Sequence, residues 1–271
     1  MWLNMHFEQE KVNSLALAPA IGAEELLSAW LVPPAVRRMP PVKGEGLQAV
    51  LFDLDGVLVD TAEFHYLSWK QLAEELGVHF DRHANEGFRG VGRMECLEKL
   101  LGQYRGSFVG EEKRLLAERK NGYYMAMVET LTPGHVAAGG KGLLVRLHAA
   151  GVRTAVVSAS RNARRVLEKL GLTEWFDLIV DGGMVTRGKP DPEGFLLAAE
   201  KLRARAAGCV VVEDAESGIE AARRAGMKCV GISAQRSHAM TGATMVVGGV
   251  GRLTVERLAG LVTGGVVARA G

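Results

Sequence analysis

Cysteine is scarce: Cys96, Cys209 and Cys229 are the only three, and they form no CxxC or other ligand spacing. Cys209 and Cys229 lie in apolar runs and read as small buried side chains, which fits a reducing cytoplasm. Charge of one sign is missing too, with 33 basic against 31 acidic residues and a net charge of +2. Neither nucleic acid nor an anionic membrane is therefore an expected partner, and Arg164-Arg165 and Arg223-Arg224 read as solvated helix faces. No apolar run reaches transmembrane length. There is no internal repeat and no low-complexity tract, and GGVGR at 248–252 lacks the GxGxxG spacing and reads as loop. What remains is an ordinary globular composition, 48% hydrophobic and 24% charged over 271 residues, enough for one domain plus an insert.

Residues 1–46 read as a non-catalytic N-terminal extension, with a short helix near AEELLSAWL and then a loop containing VPPAVRRMPP. The apolar patch SLALAPAIGA has Glu8 and Glu10 before it and Glu24 and Glu25 after it. A signal peptide wants a basic start, and an organellar transit peptide is poor in acids. Disorder, or a true start at Met39, are the other readings of this segment.

From residue 48 a pattern sets in. Short apolar, β-branched runs end in polar turns: 49–52, 153–158, 177–180, 209–212, 228–232 and 243–247. Runs of this kind suit strands buried on both faces. Helical patterns separate the later ones, which predicts an α/β fold, a Rossmann-like doubly wound parallel sheet. Between the first two runs lie residues 62–135, which read as helices and exceed what a crossover needs. They predict an inserted α-helical cap domain, with the core at 47–61 and 136–262 and a tail at 263–271. Asp60-Thr61 with Glu63 reads as the cap of the insert's first helix.

The chemistry gathers at the carboxyl ends of the predicted strands, where open parallel sheets bind ligands. AVLFDLDGVLVDT (49–61) ends its apolar run in Asp53 and Asp55, which point to one side of an extended chain. Ser158, Ala159 and Ser160 follow the second run, Lys189-Pro190 the third, and Glu213-Asp214 the fourth. Alone, each is weak, since DxD serves turns and Glu-Asp serves helix caps. All four at the same ends of their strands make a site. So many carboxylates raise one another's pKa unless a cation sits among them, and hard oxygen ligands point to Mg²⁺. Ser158 and Lys189 supply donors and charge for a phosphate. One carboxylate can then attack phosphorus, and the second can move a hydroxyl proton.

FDLDGVLVDT, SAS at 158–160, GKPDP at 188–192 and VVEDAESGIEAARRAGM at 211–227 resemble the four motifs of the haloacid dehalogenase superfamily. The insert resembles the C1 cap of its phosphoglucomutase-like subfamily. DTAEFHYLSWKQLAEELG, RGVGRMECLEKLLG, LAERKNGYYMAMV and VSASRNARRVLEKLGL narrow the resemblance to the β-phosphoglucomutases. The resemblance implies small-molecule sugar phosphates as partners, a cytoplasmic monomer, and interconversion of β-D-glucose 1-phosphate and glucose 6-phosphate. The reaction it implies runs through an aspartyl-phosphate, with β-glucose 1,6-bisphosphate as activator and intermediate. A sugar-phosphate phosphatase on the same core is the alternative.

Carried onto this chain, the resemblance makes Asp53 the nucleophile and Asp55 the general acid/base. It gives Mg²⁺ to Asp53, the Asp55 carbonyl, Glu213 and Asp214, and the transferring phosphate to Ser158, Ala159 and Lys189. Substrate contacts would come from His65, Trp69, Gly90, Arg93, Lys120, Ser160 and Asn162, with Arg93 on the non-reacting phosphate. The apolar side of its helix makes cap core an equal reading for Trp69. Three positions depart from the family pattern: Arg89 stands for a lysine, Ala215 for a serine, and Ala138-Gly139 for Pro-Gly.

Overall fold

A computed structural model describes residues 45–233 and 240–264. The expected extension up to residue 44, including its helix, and residues 265–271 of the expected tail lie outside the described residues, whereas Thr263, placed in that tail, closes a helix that buries Leu258 and Leu261.

The apolar runs become six strands: β1 (Ala49–Phe52), β2 (Arg153–Val157), β3 (Leu178–Val180), β4 (Cys209–Glu213), β5 (Lys228–Ile232) and β6 (Met245–Val247). All are parallel, in the order β3-β2-β1-β4-β5-β6. Ala49 is in register with both Arg153 and Cys209, so β1 lies at the centre. Every β1 side chain is buried. Val50 and Phe52 join one apolar layer, Ala49 and Leu51 the other. A strand covered on both faces cannot alternate apolar with polar, which explains the continuous run.

Four helices are labelled here by their place in the chain after the insert's α1–α4: α5 (Gly140–Ala149), α6 (Ala163–Leu170), α7 (Glu193–Lys201) and α8 (Glu216–Arg224). Helices α5 and α6 cover the first face, and α7 and α8 the second. A further helix, α9 (Val255–Thr263), was not anticipated. It begins at Thr254, whose hydroxyl accepts from the Arg257 amide at 3.3 Å, and it buries Leu258 and Leu261.

The insert holds α1 (Ala62–Glu75), α2 (Arg82–Glu86), α3 (Arg93–Leu101) and α4 (Gly110–Val128). Tyr66, Trp69, Leu72, Phe80, Leu97 and Leu116 form its own small core. The two linkers meet: Val59 bridges Val136, and the Ala137 amide donates to the Leu58 carbonyl at 2.8 Å. At its C-terminal end α4 is tied to α6, with Arg165 bonding Glu129 at 2.7 and 2.9 Å. Among the described residues no helix is long and apolar enough to cross a membrane.

Candidate active site

Strand order reverses at β1, and ligands of open α/β sheets sit in the crevice at such a reversal. Asp53 stands at its mouth, with its amide donating to the Val212 carbonyl at 2.9 Å. That bond sets Asp53 beside Glu213 and Asp214 at the end of β4. Carboxylate oxygens of Asp53, Glu213 and Asp214 lie within 4.8 Å of one another. Lys189 reaches in from the loop after β3, donating to Asp53 Oδ1 and, at 2.7 Å, to Glu213 Oε2. Glu213 Oε1 accepts from the amides of Asp214 and Ala215, both at 3.1 Å.

The electrostatics follow from this crowding. Burial, and then Glu213, push the Asp53 carboxyl up, while Lys189 pulls the other way. Burial and Asp53 likewise raise Asp214. The Lys189 ammonium is opposed by burial, but Asp53 and Glu213 outweigh that and hold its pKa above the ordinary value. Three carboxylates, two of them buried, against Lys189 and the Arg89 that donates to Asp214 still leave surplus negative charge. Its all-oxygen donor set suits Mg²⁺, with Asp53 and Asp214 able to turn oxygens toward it.

Asp55 sits one turn further on. Its Oδ1 accepts from the Thr61 hydroxyl, and its Oδ2 lies 3.9 Å from His65 Nε2. This corrects the expected capping by Thr61. Its side chain makes no cap bond to α1, and Asp60 Oδ1 instead takes the Ala62 amide at 3.2 Å. Asp60 is exposed and free to cap, whereas Thr61 is fully buried beside the Asp55 carboxylate. Burial and the Asp53 charge push Asp55 up to about 6.

His65 Nδ1 lies 3.2 Å from Lys120 Nζ, which stands 4.9 Å over both the Trp69 and Tyr124 rings. Burial and then Arg93 bring Lys120 down to about 7. Burial and Lys120 hold His65 well below its usual value, so the imidazole is neutral at neutral pH. With Nδ1 accepting from Lys120, the proton sits on Nε2, facing Asp55. Trp69 is buried in the cap core, edge-on to Phe88, and forms the floor under Lys120.

Arg93, at the start of α3, makes no ion pair with a carboxylate among the described residues. Burial and then the nearby Arg161 lower its pKa. Arg93 on the cap feels the positive charge of Arg161 on the core more strongly than the negative charge of Glu118, surroundings that favour an anion. Arg161 was not among the expected site residues; its signal was its position between Ser160 and Asn162 in SASRN. In that turn the Ser160 amide donates to Ser158 Oγ at 3.1 Å, and the Asn162 amide to Ser160 Oγ at 3.2 Å. Ala159 lies between the two serines and offers its backbone. Gly90 takes φ +69°, where a Cβ would come within 2.6 Å of Ser217 Oγ, so the Arg89-Gly90 loop packs directly on the segment after Asp214. Arg89 Nη2 donates to Asp214 Oδ2 there, a contact that joins cap and core.

Gly56 gives a test of the acidic cluster. It has φ +82°, and a Cβ on it would lie 2.1 Å from Asp214 Oδ2. Gly56→Ala is expected to cost about 1–3 kcal/mol of stability and to weaken Mg²⁺ binding by displacing Asp214. Thermal melts and calorimetric Mg²⁺ titration measure the two effects; unchanged Mg²⁺ affinity would remove Asp214 from the metal site.

Comparison with known proteins agrees with this arrangement. Residues 47–226 match the model of the haloacid dehalogenase-like hydrolases. The chain is 41% identical over 214 residues to β-phosphoglucomutase from Bacillus subtilis, covering 78% of this chain and 94% of the relative. It is 32% identical over 186 residues to a phosphorylated carbohydrates phosphatase from Thermotoga maritima, covering 67% and 83%. The crystal structure of β-phosphoglucomutase from Clostridium difficile superposes with a TM-score of 0.77 at 36% identity, over 80% of this chain and 98% of that one. With its strand-end carboxylates, its lysine after β3 and its helical insert, the chain belongs to the haloacid dehalogenase-like hydrolase family.

Proposed function

We propose that the chain is a Mg²⁺-dependent β-phosphoglucomutase that interconverts β-D-glucose 1-phosphate and glucose 6-phosphate through β-glucose 1,6-bisphosphate. The observation that supports this reading is Arg93, half-buried, in no ion pair among the described residues and under the positive charge of Arg161 in the Ser160–Asn162 turn. A hydrolase of small phosphomonoesters has no use for a second anion site. A mutase needs one, because its intermediate carries two phosphates.

The 6-hydroxyl of β-glucose 1-phosphate attacks phospho-Asp53, Asp55 takes its proton, the bond from phosphorus to the Asp53 oxygen breaks, and β-glucose 1,6-bisphosphate forms. After the bisphosphate turns over, Asp53 Oδ attacks the phosphorus on C1, the bond from phosphorus to the sugar oxygen breaks, and Asp55 returns the proton to that oxygen, which leaves glucose 6-phosphate and phospho-Asp53. Lys189 and Ser158 hold the phosphoryl oxygens. His65, propped by Lys120, keeps Asp55 aimed. Asp53, the Asp55 carbonyl, Glu213 and Asp214 would hold Mg²⁺, which when bound would neutralise charge on the phosphoryl group. Cap closure excludes water from the acyl phosphate.

Hydrolysis of a sugar phosphate is the second reading, supported by the phosphatase relative and by the Ala138-Gly139 linker. Phosphorus NMR of β-glucose 1-phosphate with Mg²⁺ and a trace of bisphosphate separates the two. Glucose 6-phosphate is expected; inorganic phosphate alone would overturn the mutase. Arg93→Ala is expected to slow isomerisation about a hundredfold or more, since a buried charge contact is worth about 2–5 kcal/mol. Release of phosphate from a small substrate such as acetyl phosphate should barely change, and equal losses in both assays would argue against the second anion site.

A further inference from the structure

We propose that Asn121 is a positioning residue that couples the seating of the cap to the shape of the phosphate-binding turn at Ser158–Asn162. The inference rests on the mutase reading for its catalytic consequence, but not for its geometry. Asn121 follows Lys120 on α4, and its Oδ1 accepts from Asn162 Nδ2 at 2.7 Å. This is a neutral side-chain bond between cap and core inside the cleft. From Asn162 the contacts continue inward: its amide to Ser160 Oγ at 3.2 Å, then the Ser160 amide to Ser158 Oγ at 3.1 Å. Ser158 stands at the end of β2, and its own amide donates to the Val180 carbonyl at 3.0 Å. The chain of bonds therefore runs from a cap helix to the sheet, through each side chain expected to hold phosphate on this turn.

A second tie makes the arrangement directional. Glu129, two turns of α4 beyond Asn121 (~12 Å at 1.5 Å per residue), is held by Arg165 and, at 3.5 Å, by Lys169 of α6. That end of α4 also carries Val128 into the core cluster and is fixed. Toward Asn121, Tyr124 also packs in that core cluster, and the Asn121–Asn162 amide pair between half-buried residues is a side-chain hydrogen bond to the core at that end. If α4 swings about its fixed end, the Asn121–Asn162 bond breaks early, and the Asn162 amide loses the partner that orients it. An amide suits this latch because it carries no charge. It therefore adds no negative charge to compete with a phosphate for Arg93 and Arg161.

The test is amide hydrogen exchange of the full chain without substrate, with Asn121→Ala beside wild type. A net hydrogen bond is worth about 0.5–1.5 kcal/mol, so the Ser160 and Asn162 amides should exchange about 3- to 10-fold faster in Asn121→Ala. Amides of β1 and β4 should not move, and the melting temperature should fall by no more than about 2–5 °C. Asn121→Asp keeps the acceptor and should restore wild-type exchange. Asn121→Ser, too short to reach Asn162, should behave as alanine does, and replaces it if the alanine variant does not fold. With β-glucose 1-phosphate, Asn121→Ala should release a larger share of inorganic phosphate per glucose 6-phosphate than wild type. Wild-type exchange at Ser160 and Asn162 in Asn121→Ala would overturn the proposal, as would equal acceleration in the aspartate variant. A wild-type enzyme that releases only phosphate would overturn the mutase reading alone, because the exchange result is read without substrate.

Discussion

Asp53→Asn is expected to abolish turnover, by about ten-thousand-fold or more, because removing a nucleophile costs nearly all of a covalent mechanism. The amide is isosteric, so Lys189 and Glu213 keep their contact, and the new amide oxygen can still accept a hydrogen bond. What it cannot do is attack phosphorus. The phosphoenzyme, trapped in acid after mixing with bisphosphate, should be absent. Stability gives the control. Burial and Glu213 raise the folded-state pKa of Asp53 above its unfolded value. Its favourable contribution is therefore complete below the unfolded pKa of about 4 and fades as pH rises toward the folded value. In EDTA at pH 8 the wild type carries this destabilising charge, so Asp53→Asn should melt at or above the wild-type temperature. A variant that melts lower, or one that keeps measurable phosphoenzyme, would remove Asp53 from its assigned role.

Asp55→Asn should lose about a hundred- to ten-thousand-fold, the usual worth of a positioned general acid/base, while still forming some phosphoenzyme from substrates with good leaving groups. Those substrates need no proton at the leaving oxygen, so acetyl phosphate should discriminate the variant from Asp53→Asn. The pH profile carries a second signature. Asp55 must be ionised to accept the hydroxyl proton when phospho-Asp53 is attacked, and burial with Asp53 places its pKa at about 6. Transfer from the phosphoenzyme to sugar should thus fall as pH drops below about 6, and that limb should vanish in Asp55→Asn. A limb that survives the substitution would assign the titration elsewhere. Lys120, brought down to about 7 by burial and Arg93, is the group it would point to.

Ordinary hydrophobic patterning carried most of the core. The run before Asp53 could be read as a central strand because burial on both faces forbids polar residues within it, and the charges after it mark where the sheet ends. The same logic located Ser158, Lys189 and Glu213-Asp214 before any coordinates, since each follows an apolar run of strand length. It failed for α2 and α9. The first is a five-residue helix, too short to show a period, and the second begins directly after the turn at 250–252.

The site's relations across the cleft were another matter. The sequence by itself determined which chemical groups line the crevice at the strand ends, because neighbours on a strand end are neighbours in the chain. Only the tertiary structure decided that Thr61 serves Asp55 rather than a helix end, that the charge of Arg161 acts on Arg93, and that Asn121 holds Asn162. It also decided that Arg89 meets Asp214 from 125 residues away. These pairs come from the cap folding back over the sheet. A contact made by docking two separately packed cores leaves no period and no local spacing in the chain, so it becomes visible only once both cores are built.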